Sequence, residues 1–174
     1  STFNCSSSNS GALSVTSMTL QLSSFTNTGT VTNTGNLVLA NFLGGSSWSN
    51  NNGSTLNIYG NISYSGSGNS FTASASSNTV NFCGNGTQNI FSTTYHHLSI
   101  SGTGTKTLVG AITVNRNLTV SGSATLACSS YQITGNATGI LSLASGTTLA
   151  LGSLSSATNV SFPTAYTSAN ISLN

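Results

Sequence analysis

The chain is 174 residues long and contains no aspartate and no glutamate; Lys106 and Arg116 are its only lysine and arginine, so charged residues make up 1% against about 25% in ordinary soluble domains. That composition excludes glycoside hydrolysis by paired carboxylates, carboxylate-bound Ca²⁺ or Mg²⁺ and a Ser-His-acid triad, and no enzyme, metal or other cofactor is expected. Two cations ten positions apart make no basic patch of the kind that displaces counterions from nucleic acid, so no nucleic-acid partner is expected.

Low charge does not imply disorder here. Disordered chains combine low hydrophobicity with high net charge, whereas this chain is 36% hydrophobic, has a mean hydropathy of +0.12 and carries a formal charge of +2. No run of 18 or more apolar residues occurs, so no transmembrane segment is expected. The sequence opens at Ser1 without a basic-then-apolar leader, which reads as a mature exported product or a piece of something longer. The expected location is secreted, extracellular or at the cell surface.

In chain order, apolar pairs at i, i+2 fall at Leu20/Leu22, Leu37/Leu39, Leu56/Ile58, Val80/Phe82, Leu98/Ile100, Leu118/Val120, Leu141/Leu143 and Val160/Phe162, about 20 residues apart. That spacing places both side chains of a pair on one face of a strand. Clusters of Gly, Asn, Ser and Thr separate the pairs, and further strand patterns fall at Ile62/Tyr64, Ile112/Val114 and Leu149/Leu151. No segment sustains a 3.6-residue apolar period, and the dominant residues are weak helix formers. The expectation is an all-β, single-domain β-solenoid over residues 1–174, with about eight coils of roughly 20 residues. Residues 1–19 are read as an N-terminal cap or donated strand and 20–174 as the repeats. A β-sandwich or jelly-roll subunit with strand donation is the alternative.

A solenoid also gives the missing charges a physical reason. Equivalent positions stack about 4.8 Å apart, where like charges repel by roughly 1 kcal/mol even in water. Asn, Ser and Thr escape that cost and can form hydrogen-bonded ladders instead.

A few residues stand out against this pattern. Thr26 to Thr34 is expected to set five threonines on one strand face, with Thr103/Thr105/Thr107 the comparable run. A flat threonine array orders water, so an ice-binding solenoid is one functional expectation. Trp48, in the polar run Ser46 to Gly53, is expected in a loop, packed over a coil or against a partner subunit as a lateral contact, or stacked on a sugar. His96 and His97 are adjacent, and neighbours in a strand point to opposite faces, so the expectation is that they do not easily grip one metal ion. Cys5, Cys83 and Cys128 allow one disulfide with three pairings open, or three buried thiols. The eight Asn-x-Ser/Thr triplets match what 22 Asn and 62 Ser plus Thr produce by chance in 174 residues, so they do not by themselves indicate glycosylation.

The stretch from Val80 to Asn136 contains Gly84-Asn85-Gly86-Thr87-Gln88-Asn89-Ile90, Leu98-Ser99-Ile100-Ser101-Gly102-Thr103-Gly104-Thr105-Lys106-Thr107-Leu108 and Ile112-Thr113-Val114-Asn115-Arg116-Asn117-Leu118-Thr119-Val120. It resembles the low-complexity β-helical repeats of large secreted surface proteins of Bacteroidota. The resemblance implies export, a β-solenoid and an adhesin-like or structural role.

Both ends of the sequence lack the usual edge defences of lysine, proline or inward charge, and Pro163 is the only proline. Complementary unprotected ends associate head to tail. The leading expectation is therefore a structural subunit of a self-assembling extracellular filament or surface layer, whose partners are copies of itself. Sheet-edge contacts would run through Leu13, Val15, Ile171 and Leu173, with Trp48 lateral. An adhesive or carbohydrate-binding surface module, with glycans as partners, is the second expectation.

Overall fold

The computed structural model describes residues 2–3, 7–15, 18–21, 24–27, 30–33, 37–40, 47–65, 69–152, 162–166 and 171–173. They form strands and turns, with no helix among the described residues. In chain order the strands are β1 (Thr2–Phe3), β2 (Ser7–Asn9), β3 (Ala12–Val15), β4 (Met18–Gln21), β5 (Ser24–Asn27), β6 (Thr30–Asn33), β7 (Leu37–Ala40), β8 (Ser47–Asn50), β9 (Thr55–Ile58), β10 (Ile62–Ser65), β11 (Ser70–Thr72) and β12 (Thr79–Phe82). They continue as β13 (Gln88–Ile90), β14 (Thr94–Tyr95), β15 (His97–Ile100), β16 (Thr103–Leu108), β17 (Ile112–Val114), β18 (Leu118–Val120), β19 (Ser123–Ala127), β20 (Ile133–Thr134), β21 (Leu141–Leu143), β22 (Thr148–Ala150) and β23 (Ile171–Leu173).

The chain winds through three faces in turn, and every strand pairs in parallel with its equivalent one turn away. One face is an eight-stranded sheet ordered β23-β21-β18-β15-β12-β9-β6-β3. The second begins as β1-β4-β7-β10 and is carried on by β13-β16-β19-β22, where Gln88 and Asn89 reach back to Gly60 and Asn61. The third consists of β2-β5-β8-β11 and β14-β17-β20, joined by the parallel bridge Ala73 to Tyr95. This is a β-solenoid. A sandwich would require antiparallel sheets, and the pairing is parallel throughout. The first three strands pair with the following turn as later strands do, through β1–β4, β2–β5 and β3–β6.

Five of the eight predicted pairs, from Leu56/Ile58 to Leu141/Leu143, stack as successive rungs of the eight-stranded sheet. Leu37/Leu39 and Leu20 lie instead on β7 and β4 of the second face, Leu22 and Val160 lie outside the described residues, and Phe162 is exposed. The apolar repeat thus traces five turns rather than eight. An i, i+2 apolar pair suits any of the three faces, and spacing alone does not say which.

The interior is built from columns. Leu56, Val80, Leu98, Leu118 and Leu141 form one, and Ile58, Phe82, Ile100 and Val120 another, each side chain at most 1% exposed. Fully burying such side chains stabilises the fold by about 1.5 to 3 kcal/mol apiece. Trp48 and Phe71 stack on the third face, and Ala73, Tyr95 and Val114 form the adjoining column. Trp48 is therefore a correction to the loop expectation: it lies on β8 with an alternating exposure pattern and is fully buried, because its i, i+2 neighbour Asn50 also points inward.

Two polar side chains share the interior of the second face. Gln88 and Lys106 are register partners, followed in the same column by Leu126 and Leu149. Lys106 is 0% exposed, and its Nζ donates to the carbonyls of Gly84 (2.7 Å), Gly86 (2.9 Å) and Thr103. Gln88 accepts from Gly84 N at 2.8 Å and donates to the carbonyls of Ile58 (3.0 Å) and Gly60. These corner carbonyls point inward where the chain turns from the eight-stranded sheet to the second face. The long polar side chains supply the donors that buried carbonyls require. Glycine is required at the same corner. Gly102 and Gly122 have φ of +74° and +69°, and a Cβ on Gly122 would lie 2.4 Å from Gly102 O. Only residues without a side chain let successive corners stack so closely.

Candidate functional site: the polar face and its histidine corner

The outward side of the eight-stranded sheet carries a polar column of Ser14, Asn57, Asn81, Ser99, Thr119 and Ser142, and Thr32 and Ser172 share its register positions. Part of it is a hydrogen-bonded ladder, in which Ser101 Oγ donates to Asn81 Oδ1 at 2.9 Å and Asn81 Nδ2 to Asn57 Oδ1 at 3.2 Å. The third face carries an all-hydroxyl column, Ser8, Thr26, Ser49 and Thr72 on its first sheet and Thr94, Thr113, Thr134 and Thr164 on its second. Sequence inspection missed this column because its members are separated by loops of unequal length.

Thr26 to Thr34 does not form a single strand face: Thr26 lies on β5 of the third face, Thr30 and Thr32 on β6 of the eight-stranded sheet, and Thr28 and Thr34 lie outside the described residues. Thr103, Thr105 and Thr107 do share β16, and Thr105 stacks with Thr125 and Thr148, but Thr107 meets Asn89 and Ala127. A two-column threonine array is not built on this face.

Among the described residues, grooves open on the polar face. The first, about 490 Å³, is lined by Asn57, Tyr59, Asn81, Cys83, Asn85, Ser101 and Gly102. Tyr59 is 45% exposed at its rim. Cys83 donates its thiol to Ile58 O at 3.5 Å; burial pushes its pKa up, opposed by a hydrogen bond from Tyr59 and by the nearby Lys106 charge. Cys128 is fully buried and pushed up to about 11 by the same cause. Both are free thiols at different corners, so no bond joins them, and Cys5 lies outside the described residues.

The second groove, about 320 Å³, is lined by Thr79, His97, Leu98, Ser99, Asn117 and Thr119. His96 and His97 meet edge to face, with ring centroids 4.7 Å apart. Asn117 N–H donates to His97 Nδ1 at 3.4 Å, which leaves the proton of the neutral ring on Nε2. Burial lowers the pKa of His96, helped by Arg116; burial, then His96 and Arg116, lowers that of His97. Among the described residues no three His, Cys, Asp or Glu side chains converge as a metal site would require.

These two imidazoles set the pH response. A base whose folded pKa is lowered binds fewer protons folded than unfolded between the two values, so stability falls as pH drops through that window and levels off below it. Both rings are partly exposed, which keeps the step small. No side-chain carboxylate titrates further down. Urea or thermal melts should show a small fall between about pH 7 and 5 and then a plateau to about pH 2. A cooperative loss centred near pH 4 would contradict this.

The predicted edge residues fall on the two outermost strands of the eight-stranded sheet, Leu13 and Val15 on β3, Ile171 and Leu173 on β23. Leu13 packs partly buried against the core. No family model, curated protein or solved structure matches this chain. Among the described residues no helix is long and apolar enough to cross a membrane.

Proposed function

We propose that the chain is a structural subunit of an extracellular fibre or surface layer, extended by strand addition at the β3 and β23 edges. The observation that carries this reading is the pair of outermost strands: among the described strands each has one neighbour in the sheet, and neither contains a charged residue or a proline. Such edges accept a further parallel strand from a second copy. The resemblance of residues 80–136 to secreted surface repeats points the same way. Electron microscopy at rising protein concentration tests it. Fibres should form, and Ala12→Lys with Ser14→Lys, both at exposed positions of β3, should shorten or abolish them while leaving the circular dichroism unchanged. Monodisperse particles at every concentration would sink the proposal.

A second reading, a carbohydrate-binding module, is favoured by Tyr59 standing exposed over the amides of Asn57, Asn81 and Asn85. This is the neutral, aromatic-rimmed chemistry that suits a sugar ring. Glycan-array binding lost in Tyr59→Ala would support it.

A further inference from the structure

Only four side chains in the whole sequence can readily carry positive charge, Lys106, Arg116, His96 and His97, and no side chain can balance them with a carboxylate. Lys106 is buried, with its ammonium held by three backbone carbonyls. The other three gather at one corner. Arg116 N–H donates to His96 O at 2.9 Å, which sets Arg116 one turn along the solenoid from His96, and His97 adjoins through the edge-to-face ring contact.

The corner is held by the turns that follow it. Tyr166 OH donates to Arg116 O at 3.2 Å, Ile140 N–H donates to Asn117 Oδ1 at 3.1 Å, and Gly139 lies so close that a Cβ there would fall 1.9 Å from Arg116 O. The side-chain bond of Arg116 is to the neutral hydroxyl of Thr138. A guanidinium presents five donors in a fork suited to oxyanions, and here it faces no acid. His97 opens into the second groove, where Thr79, Ser99, Asn117 and Thr119 add neutral polar groups.

We propose that the His96–His97–Arg116 corner binds an oxyanion substituent of an acidic polysaccharide, gripped more tightly as the histidines take up protons, with the adjoining groove holding the sugar. The charged and titratable groups facing the pair are Arg116 on the next turn and each ring for the other; Tyr166 adds a phenol, and the preceding turn contributes only neutral residues such as Asn78 and Thr79. An anion at this corner opposes the repulsion from Arg116, so binding draws protons onto the imidazoles and strengthens as pH falls. With no aspartate or glutamate in the sequence, a polyanion meets no side-chain carboxylate that would repel it. The inference goes beyond both readings above, since neither fibre growth nor sugar stacking on Tyr59 needs this corner.

Histidine Cε1–H NMR titrations test it on the full chain at constant ionic strength, with a sulfated oligosaccharide and with inorganic sulfate as separate probes. The oligosaccharide should bind at least about tenfold more tightly at pH 5 than at pH 8 and raise both histidine pKa values. Arg116→Gln should weaken binding at both pH values, and His96→Gln with His97→Gln should abolish the pH dependence, all with unchanged circular dichroism. Equal affinity at the two pH values, or full binding by Arg116→Gln, would overturn the site. Sulfate binding as tightly as the oligosaccharide would overturn the polysaccharide assignment.

Discussion

Replacing Lys106 by methionine should lower the unfolding free energy by about 2 to 4 kcal/mol, because three inward-facing corner carbonyls lose their donor. Methionine keeps most of the stem and so preserves packing, but it strips the donors from the carbonyls of Gly84, Gly86 and Thr103. Each buried carbonyl left unpaired costs about 1 to 3 kcal/mol. Relief of a desolvated ammonium offsets part of that sum; burial holds the Lys106 pKa below its ordinary value, although a Cys83 thiolate would act the other way. Lys106→Gln is the informative control, because Gln88 meets the same need at the register-paired position. It should recover a substantial part of the loss. Urea unfolding of the three proteins measures this, and a methionine variant as stable as the parent would show that the ammonium is dispensable.

Trp48→Ala should cost a similar amount, about 3 to 5 kcal/mol, the range for deleting a buried tryptophan. Trp48 is 0% exposed, and β8 pairs it with Phe25 on one side and Phe71 on the other. Deletion leaves a cavity inside a column rather than a gap on the surface. Trp48→Phe, which matches the residue type on both neighbouring rungs, should cost less than Trp48→Ala because it leaves a smaller cavity, although it gives up the Trp48 Nε1 donor to Asn50 Oδ1. As the only tryptophan in the chain, Trp48 also reports its own burial: native emission should be blue-shifted and move red on unfolding. A neutral Trp48→Ala with red-shifted native emission would return the residue to the surface role expected from its polar sequence neighbours.

Trp48 illustrates where sequence reasoning stops. Its run, Ser46 to Gly53, is almost wholly polar, and composition marks such a run as loop. Yet three-residue and four-residue strands bury every second residue, so one aromatic among serines and asparagines suffices for a rung. Lys106 is similar. Its neighbours Thr105 and Thr107 alternate outward around it, a parity legible in the sequence, but a lysine on an inward position is legible only once the unpaired corner carbonyls are known.

The absence of acids, the lack of helical periodicity and the recurring i, i+2 pairs determined the fold class, because side-chain alternation is a local property of strands. They also determined that the response to acid rests on His96 and His97, the side chains that titrate below neutrality. The tertiary structure alone decided which face each pair occupies, that Trp48 and Lys106 lie inside, and that Arg116 stacks beside the histidines. Those facts depend on register between turns. Register is set by loops whose lengths vary from turn to turn, and by contacts between residues some 20 positions apart that no local pattern encodes.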